Sequence, residues 1–199
     1  MIGLLPSLNR AWRRAPSGYR PGAALDRLAR NLEPYACERL APGLLRLTLP
    51  QGPQGPQIEI GEQVQGLFMA HIVSHRFRLQ GACAIQLPLT LDVVTGGWLR
   101  RRGVRYLLRQ RHAAAQRVLD GLQRYPQIGE TLAQLDFRRV RLTVNDGRWQ
   151  VDIEHFAASE VVSRLPAGRR YLRLDAEQRR LLLSSLLMIG QLMEKLNHE

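Results

Sequence analysis

Lysine is almost missing from this chain. Lys195 is the only one, so the other 28 of its 29 basic side chains are arginine. Acidic residues are scarce as well, 17 against those 29, and the formal net charge at neutral pH is +12. Codons rich in G and C account for arginine in place of lysine, but not for the shortage of acids. A surplus of this size attracts anions: nucleic acid, acidic lipid headgroups or an acidic protein. Cysteine is confined to Cys37 and Cys83. That excludes a disulfide framework and offers no metal-type spacing, so both read as small buried hydrophobes in a reducing compartment.

Long apolar runs are missing too. The best candidate, residues 181–193, is interrupted by Ser184, Ser185, Gly190 and Gln191, and falls short of the roughly 20 apolar residues needed to span a bilayer. Residues 1–5 are apolar, but Pro6 follows and the arginines come after them, the reverse of a secretory signal. A cytoplasmic protein, bacterial by its composition, is the expectation. Phosphate-cradling loops are absent: Gly52-Pro53-Gln54-Gly55 has prolines where backbone donors are needed. Ser159 has no nucleophile-elbow context. No helix-turn-helix, zinc-finger, RRM or KH signature appears.

What the chain does have is a near-echo of itself. Leu45-Arg46-Leu47-Thr48-Leu49 returns 95 residues later as Val140-Arg141-Leu142-Thr143-Val144. Each copy leads into a turn and then a short acidic strand, Gln57-Ile58-Glu59-Ile60 or Gln150-Val151-Asp152-Ile153. Arg76-Phe77-Arg78-Leu79 is matched loosely by Tyr171-Leu172-Arg173-Leu174. Alternation of this kind marks half-buried strands, so the expectation is two antiparallel hairpin units, with internal duplication as one explanation. Two units are too few for a solenoid, which needs about three or more.

Around the hairpins the remaining elements follow. Residues 4–20 carry Arg10, Arg13, Arg14 and Arg20 around Trp12, a candidate basic arm over 1–22 for a membrane or nucleic acid. Leu25, Leu28 and Leu32 share one helical face ahead of Pro34. Residues 85–91 alternate as a strand, in which Pro88 points to an edge or a bulge. After Gly96-Gly97, residues 99–122 read as one long Arg-rich helix. Tyr125-Pro126 opens a shorter helix that ends near Leu135. Asp175 is a candidate N-cap with Gln178 in capping-box register. Beyond it Leu182, Leu186, Ile189, Met193 and Leu196 form a 4-3-4-3 seam. Leu181, Leu183, Leu187, Met188 and Leu192 widen that seam into the broad stripe of a core helix.

Three clusters carry candidate chemistry. Arg101, Arg102, Arg105 and Arg109, beside Arg100, Arg111, Arg117 and His112, would form a ridge on the long helix, able to fork onto successive phosphates. Trp98 and Tyr106 could stack on bases. His71 and His75, four apart, could bind zinc with a third ligand from His155, Glu62 or Glu160; plain strand histidines are the alternative. Glu59, Glu62, Asp152 and Glu154 could pair for acid–base work, or simply neutralise arginines such as Arg46 and Arg141 across the strands.

The expectation is therefore an α+β domain over 23–199, with two hairpin units (about 23–96 and 113–199), the long Arg-rich central helix and an apolar C-terminal helix. Its function would be non-catalytic binding of an anionic partner, nucleic acid first, through Arg101, Arg102, Arg105 and Arg109, with no cofactor. The alternatives are a protein–protein adaptor or homodimer built on the C-terminal helix and a sheet edge, and a small metal-assisted enzyme using His71 and His75.

Overall fold

A computed structural model describes residues 19–50, 55–96, 103–164 and 167–198. Among these residues ten antiparallel strands form one sheet: β1 (Ala36–Ala41), β2 (Leu44–Thr48), β3 (Gln57–Gly66), β4 (Ala70–Ala82), β5 (Leu89–Thr95), β6 (Val104–Leu108), β7 (Phe137–Asn145), β8 (Arg148–His155), β9 (Ser159–Arg164) and β10 (Ala167–Leu172). The order across the sheet is β1, β2, β3, β4, β8, β7, β5, β6. Long β4 is shared: its second half pairs with β8, its first residues with β9, which carries β10 outside it. Among the described residues four helices accompany the sheet: α1 (Ala23–Asn31), α2 (Ala113–Arg124), α3 (Pro126–Gln134) and α4 (Ala176–His198).

Alternation decides the two faces. Leu45, Ile60, Phe77, Ile153, Val140 and Val93 lie opposite one another across six strands and are all buried. The helices close over this row. α4 supplies nine buried positions, among them Leu182, Leu186, Ile189 and Met193 of its apolar stripe. Close approach of α4 to the sheet depends on Gly190, where a Cβ would stand 2.9 Å from Leu79 and 3.3 Å from Trp149. Capping is half as expected. The Gln178 N–H donates to Asp175 Oδ1 at 2.7 Å, whereas the Gln178 side chain turns to the Asp136 N–H and to His155.

Both echoed hairpins form, in matching register: Arg46 lies opposite Glu59, and Arg141 opposite Asp152. They are not superposable copies. β3 and β8 both run antiparallel to β4 with the same face inward, but they flank it on opposite sides. The pair type must then switch. The Leu49 N–H bonds the Pro56 carbonyl and the Glu62 N–H the Gly43 carbonyl, which leaves Arg46 and Glu59 at a non-hydrogen-bonded position. In the second hairpin the two-residue turn at Asp146 (φ 49°) and Gly147 (φ 71°) closes on Asn145 and Arg148, and so makes Arg141 and Asp152 a hydrogen-bonded pair.

The expected long helix over 99–122 is not formed. Val104–Leu108 is the edge strand β6, paired with β5, and the helix starts only at Ala113. Gly103, at φ +109°, stands in a conformation that a helix cannot contain. Val104, Tyr106 and Leu108 then alternate into the core-facing side, half-buried beside the helices. His112 caps the true helix, its Nδ1 accepting from the Ala115 N–H at 3.1 Å. The strand expected over 85–91 likewise starts at Leu89, after Pro88, which has no N–H to give a ladder.

Candidate anion-binding site

The face of the sheet away from the helices is polar, and no described element packs over it. One row of directly opposed residues crosses seven strands with alternating sign: Glu38, Arg46, Glu59, Arg78, Asp152, Arg141 and Asp92. Arg78 Nε meets Asp152 Oδ1 at 2.9 Å, and Arg141 Nε meets Asp92 Oδ1 at 2.5 Å. Arg109 reaches back from the end of β6 to Asp92 Oδ2 at 2.9 Å. Hydrogen bonds from Arg141 and then Arg109 outweigh the burial of Asp92 and hold its carboxyl below the usual aspartate range. With Arg109 counted, this row is balanced. The reading of Glu59 and Asp152 as neutralisers of Arg46 and Arg141 agrees with these registers.

The next row toward the β3–β4 turn is not balanced. Arg76 lies opposite Glu154, and Glu154 opposite Arg139. Arg76 Nη2 holds Glu154 Oε1 at 3.2 Å. Arg138 sits beside them, its Nη2 donating to Gln65 Oε1 at 2.8 Å. Arg76, Arg138, Arg139 and Glu154, with Gln63, Val64, Gln65 and Ser74, line a concavity of about 650 Å³. Exposed Arg105, opposite Val94, extends the same half of the face onto β6. Four arginines thus face one carboxylate.

This geometry redistributes the expected ridge. Arg101 and Arg102, like Trp98, lie outside the described residues. Arg105 and Arg109 are two strand steps of one edge rather than neighbours on a helix, and Arg109 is engaged by Asp92. Tyr106 points to the opposite side of β6 from Arg105, half-buried with its hydroxyl near Gly129 of α3, where no base could stack. Arg138 and Arg139 were missed by the sequence reading. Their doublet at the start of an amphipathic strand was the available signal.

His71 and His75 share the core-facing side of β4, 2% and 0% exposed. Glu62 meets His75 at 3.9 Å, too long for a hydrogen bond. Its carboxylate instead accepts from the Tyr19 hydroxyl at 2.7 Å, the Gly22 N–H at 2.8 Å and the Leu25 N–H at 3.3 Å, and so caps α1 from the sheet. Burial pushes the Glu62 carboxyl up, but the nearby His75 ring, the Gly22 N–H and the Tyr19 hydroxyl together bring it below the usual range. Burial first, and then the Glu62 carboxylate, push the Tyr19 hydroxyl well upward. His75 Nδ1 donates to the carbonyl of Ala158. His155 is on the same side of the sheet, but its Nδ1 accepts from the Ala157 N–H at 2.9 Å and its Nε2 meets Gln178 at 3.0 Å. Glu160 is taken by Arg27 at 2.6 Å. Among the described residues no three His, Cys, Asp or Glu side chains converge as metal ligands. These buried acids fasten α1 to the sheet.

No helix among the described residues is long and apolar enough to cross a membrane. No curated protein and no solved structure matches the chain. Residues 30–193 match the family described as protein of unknown function (DUF3156), covering the chain from the end of α1 to the last turns of α4, and the chain belongs to that family.

Proposed function

We propose that this is a non-catalytic binding protein for an anionic partner, with nucleic acid the leading candidate, and that the partner lies on the uncovered face of the sheet. The observation that carries this reading is the unbalanced row: Arg76, Arg105, Arg138 and Arg139 stand against Glu154 alone. Guanidinium groups fork onto phosphate oxygens in pairs of parallel hydrogen bonds. Arg105, Arg138 and Arg139 are exposed and meet a phosphate at little desolvation cost. The overall charge of +12 would speed the encounter and favour any polyanion over a neutral chain.

The test is fluorescence anisotropy of a labelled mixed-sequence DNA duplex, titrated at several salt concentrations. Affinity should fall steeply with salt. Replacing Arg105, Arg138 and Arg139 together by Ala should flatten the log–log slope by about 2–3, since each phosphate contact contributes about 0.9. Binding that ignores salt, or a triple variant with the wild-type slope, would refute the reading.

A further inference from the structure

Exposed apolar side chains are unevenly placed on this molecule. Of the six large hydrophobics left open to solvent among the described residues, Val64, Leu67, Phe68 and Phe156 lie toward one end of the sheet. Phe68, at the tip of the β3–β4 turn, is 95% exposed and Leu67 is 49% exposed. A tight turn needs no aromatic at its tip, since polar residues and glycine close one at lower cost.

Topology gathers basic groups around the same end. β9 runs toward it beside β4, with Ser163 opposite Ala70, so the last residues of β9 come up to the first residues of β4 after the Phe68 tip. Arg170 stands on the uncovered face, on a row with Val161, Ile72 and Gln65. Arg138 joins that row through its bond to Gln65. Tyr19 packs edge-on against His71 with ring centres 6.4 Å apart, and His71 lies opposite Gly66. Exposed Arg20 is therefore at this end as well.

We infer that this end of the sheet docks on an anionic lipid surface, with Leu67 and Phe68 entering the boundary between headgroups and acyl chains while Arg20, Arg138 and Arg170 meet the lipid phosphates. Charge selects an acidic surface over a neutral one. Shape and size select a lipid over a protein. The tip is convex and presents two or three side chains, and an aromatic side chain covers only about 150–250 Å². A stable protein interface takes about 800 Å² from each partner. A bilayer accepts a small wedge without a preformed pocket, and adds the attraction of its charge. The inference shares Arg138 with the nucleic-acid reading but turns on Leu67 and Phe68, which do not belong to the unbalanced arginine row.

The experiment is co-sedimentation of the full chain with phosphatidylcholine vesicles, with and without phosphatidylglycerol. The wild type should pellet with the acidic vesicles only, and less as salt is raised. Phe68→Ser should weaken partitioning about tenfold or more, with an unchanged thermal melt because that side chain is already in water, and Leu67→Ser, at a half-exposed side chain, should weaken it by less. Arg138→Ala should weaken it on acidic vesicles, while Arg105→Ala should leave the contrast between wild type and Phe68→Ser intact. A wild type that pellets with neither vesicle, or equally with both, overturns the proposal. So does Phe68→Ser that pellets as the wild type does, or whose sole effect by light scattering is to dissociate an oligomer, because the tip would then be a contact between copies.

Discussion

Replacing Glu62 by Gln removes one negative charge beneath α1 while keeping the shape of the side chain. In the wild type the carboxylate, 2% exposed, accepts three hydrogen bonds, from Tyr19, Gly22 and Leu25. Hydrogen bonds to a charged group contribute about 1.5–3 kcal/mol each, against about 1 kcal/mol for neutral ones. The amide of Gln offers one acceptor oxygen and one donor group, so at least one of the three donors is left facing an N–H. The expected loss is about 2–4 kcal/mol. For a domain of this length that corresponds to a melting point lower by about 4–16 °C. Urea denaturation followed by circular dichroism reads it directly. The pH dependence is a second, sharper check. Since the folded pKa of Glu62 lies below the unfolded value, its contribution is complete above the ordinary glutamate range and disappears as pH falls through the folded pKa. The gap between wild type and Glu62→Gln should therefore be full at neutral pH and close in acid. A variant within about 0.5 kcal/mol of wild type at pH 7, the scatter of an ordinary surface change, would refute the account of how α1 is fastened.

Two further outcomes follow from particular contacts. Gly190→Val forces a branched side chain into Leu79 and Trp149 and should cost about 1–3 kcal/mol, with a change in tryptophan emission; Gly66→Ala, which meets nothing within 4 Å, is the control and should stay within about 0.5 kcal/mol. Asp92→Asn should cost about 1 kcal/mol, because its pairs with Arg109 and Arg141 are partly solvated, yet tighten binding to the DNA duplex by releasing two arginines on the same face. The stability gap between wild type and Asp92→Asn should close as pH drops below the usual aspartate range, through the lowered folded pKa of Asp92.

Elements whose periodicity is clean and long are legible in the amino-acid order itself. The α4 stripe, its Asp175 cap and the Asn145-Asp146-Gly147 turn each follow from local rules, and each forms where those rules put it. Residues 99–122 mislead because leucines and valines at helical spacing overlap strand alternation there. Val104, Leu107 and Leu108 fit one helical face while Val104, Tyr106 and Leu108 alternate as a strand, and only β5, as a partner, makes the strand the better burial. The basic ridge fails with the helix that would have carried it. What replaces it, the row of Arg76, Arg139 and Glu154, joins Arg76 to residues more than sixty positions away, and no local spacing reports such a neighbourhood.

The matched hairpins mark the same boundary. From sequence alone came the two echoed hairpins with their inward and outward residues, acidic strand residues set near arginines such as Arg46 and Arg141, and the surplus of positive charge, because all three depend on periods of two and on composition; which acid lies opposite which arginine is seen only in the register. The side of β4 on which each hairpin docked was settled only by tertiary structure, since both sides of a strand offer the same backbone groups. That choice placed β3 and β8 side by side with β4 and brought β9 up to the Phe68 turn. It thereby decided which arginines were neutralised in one row and which were left in excess in the next.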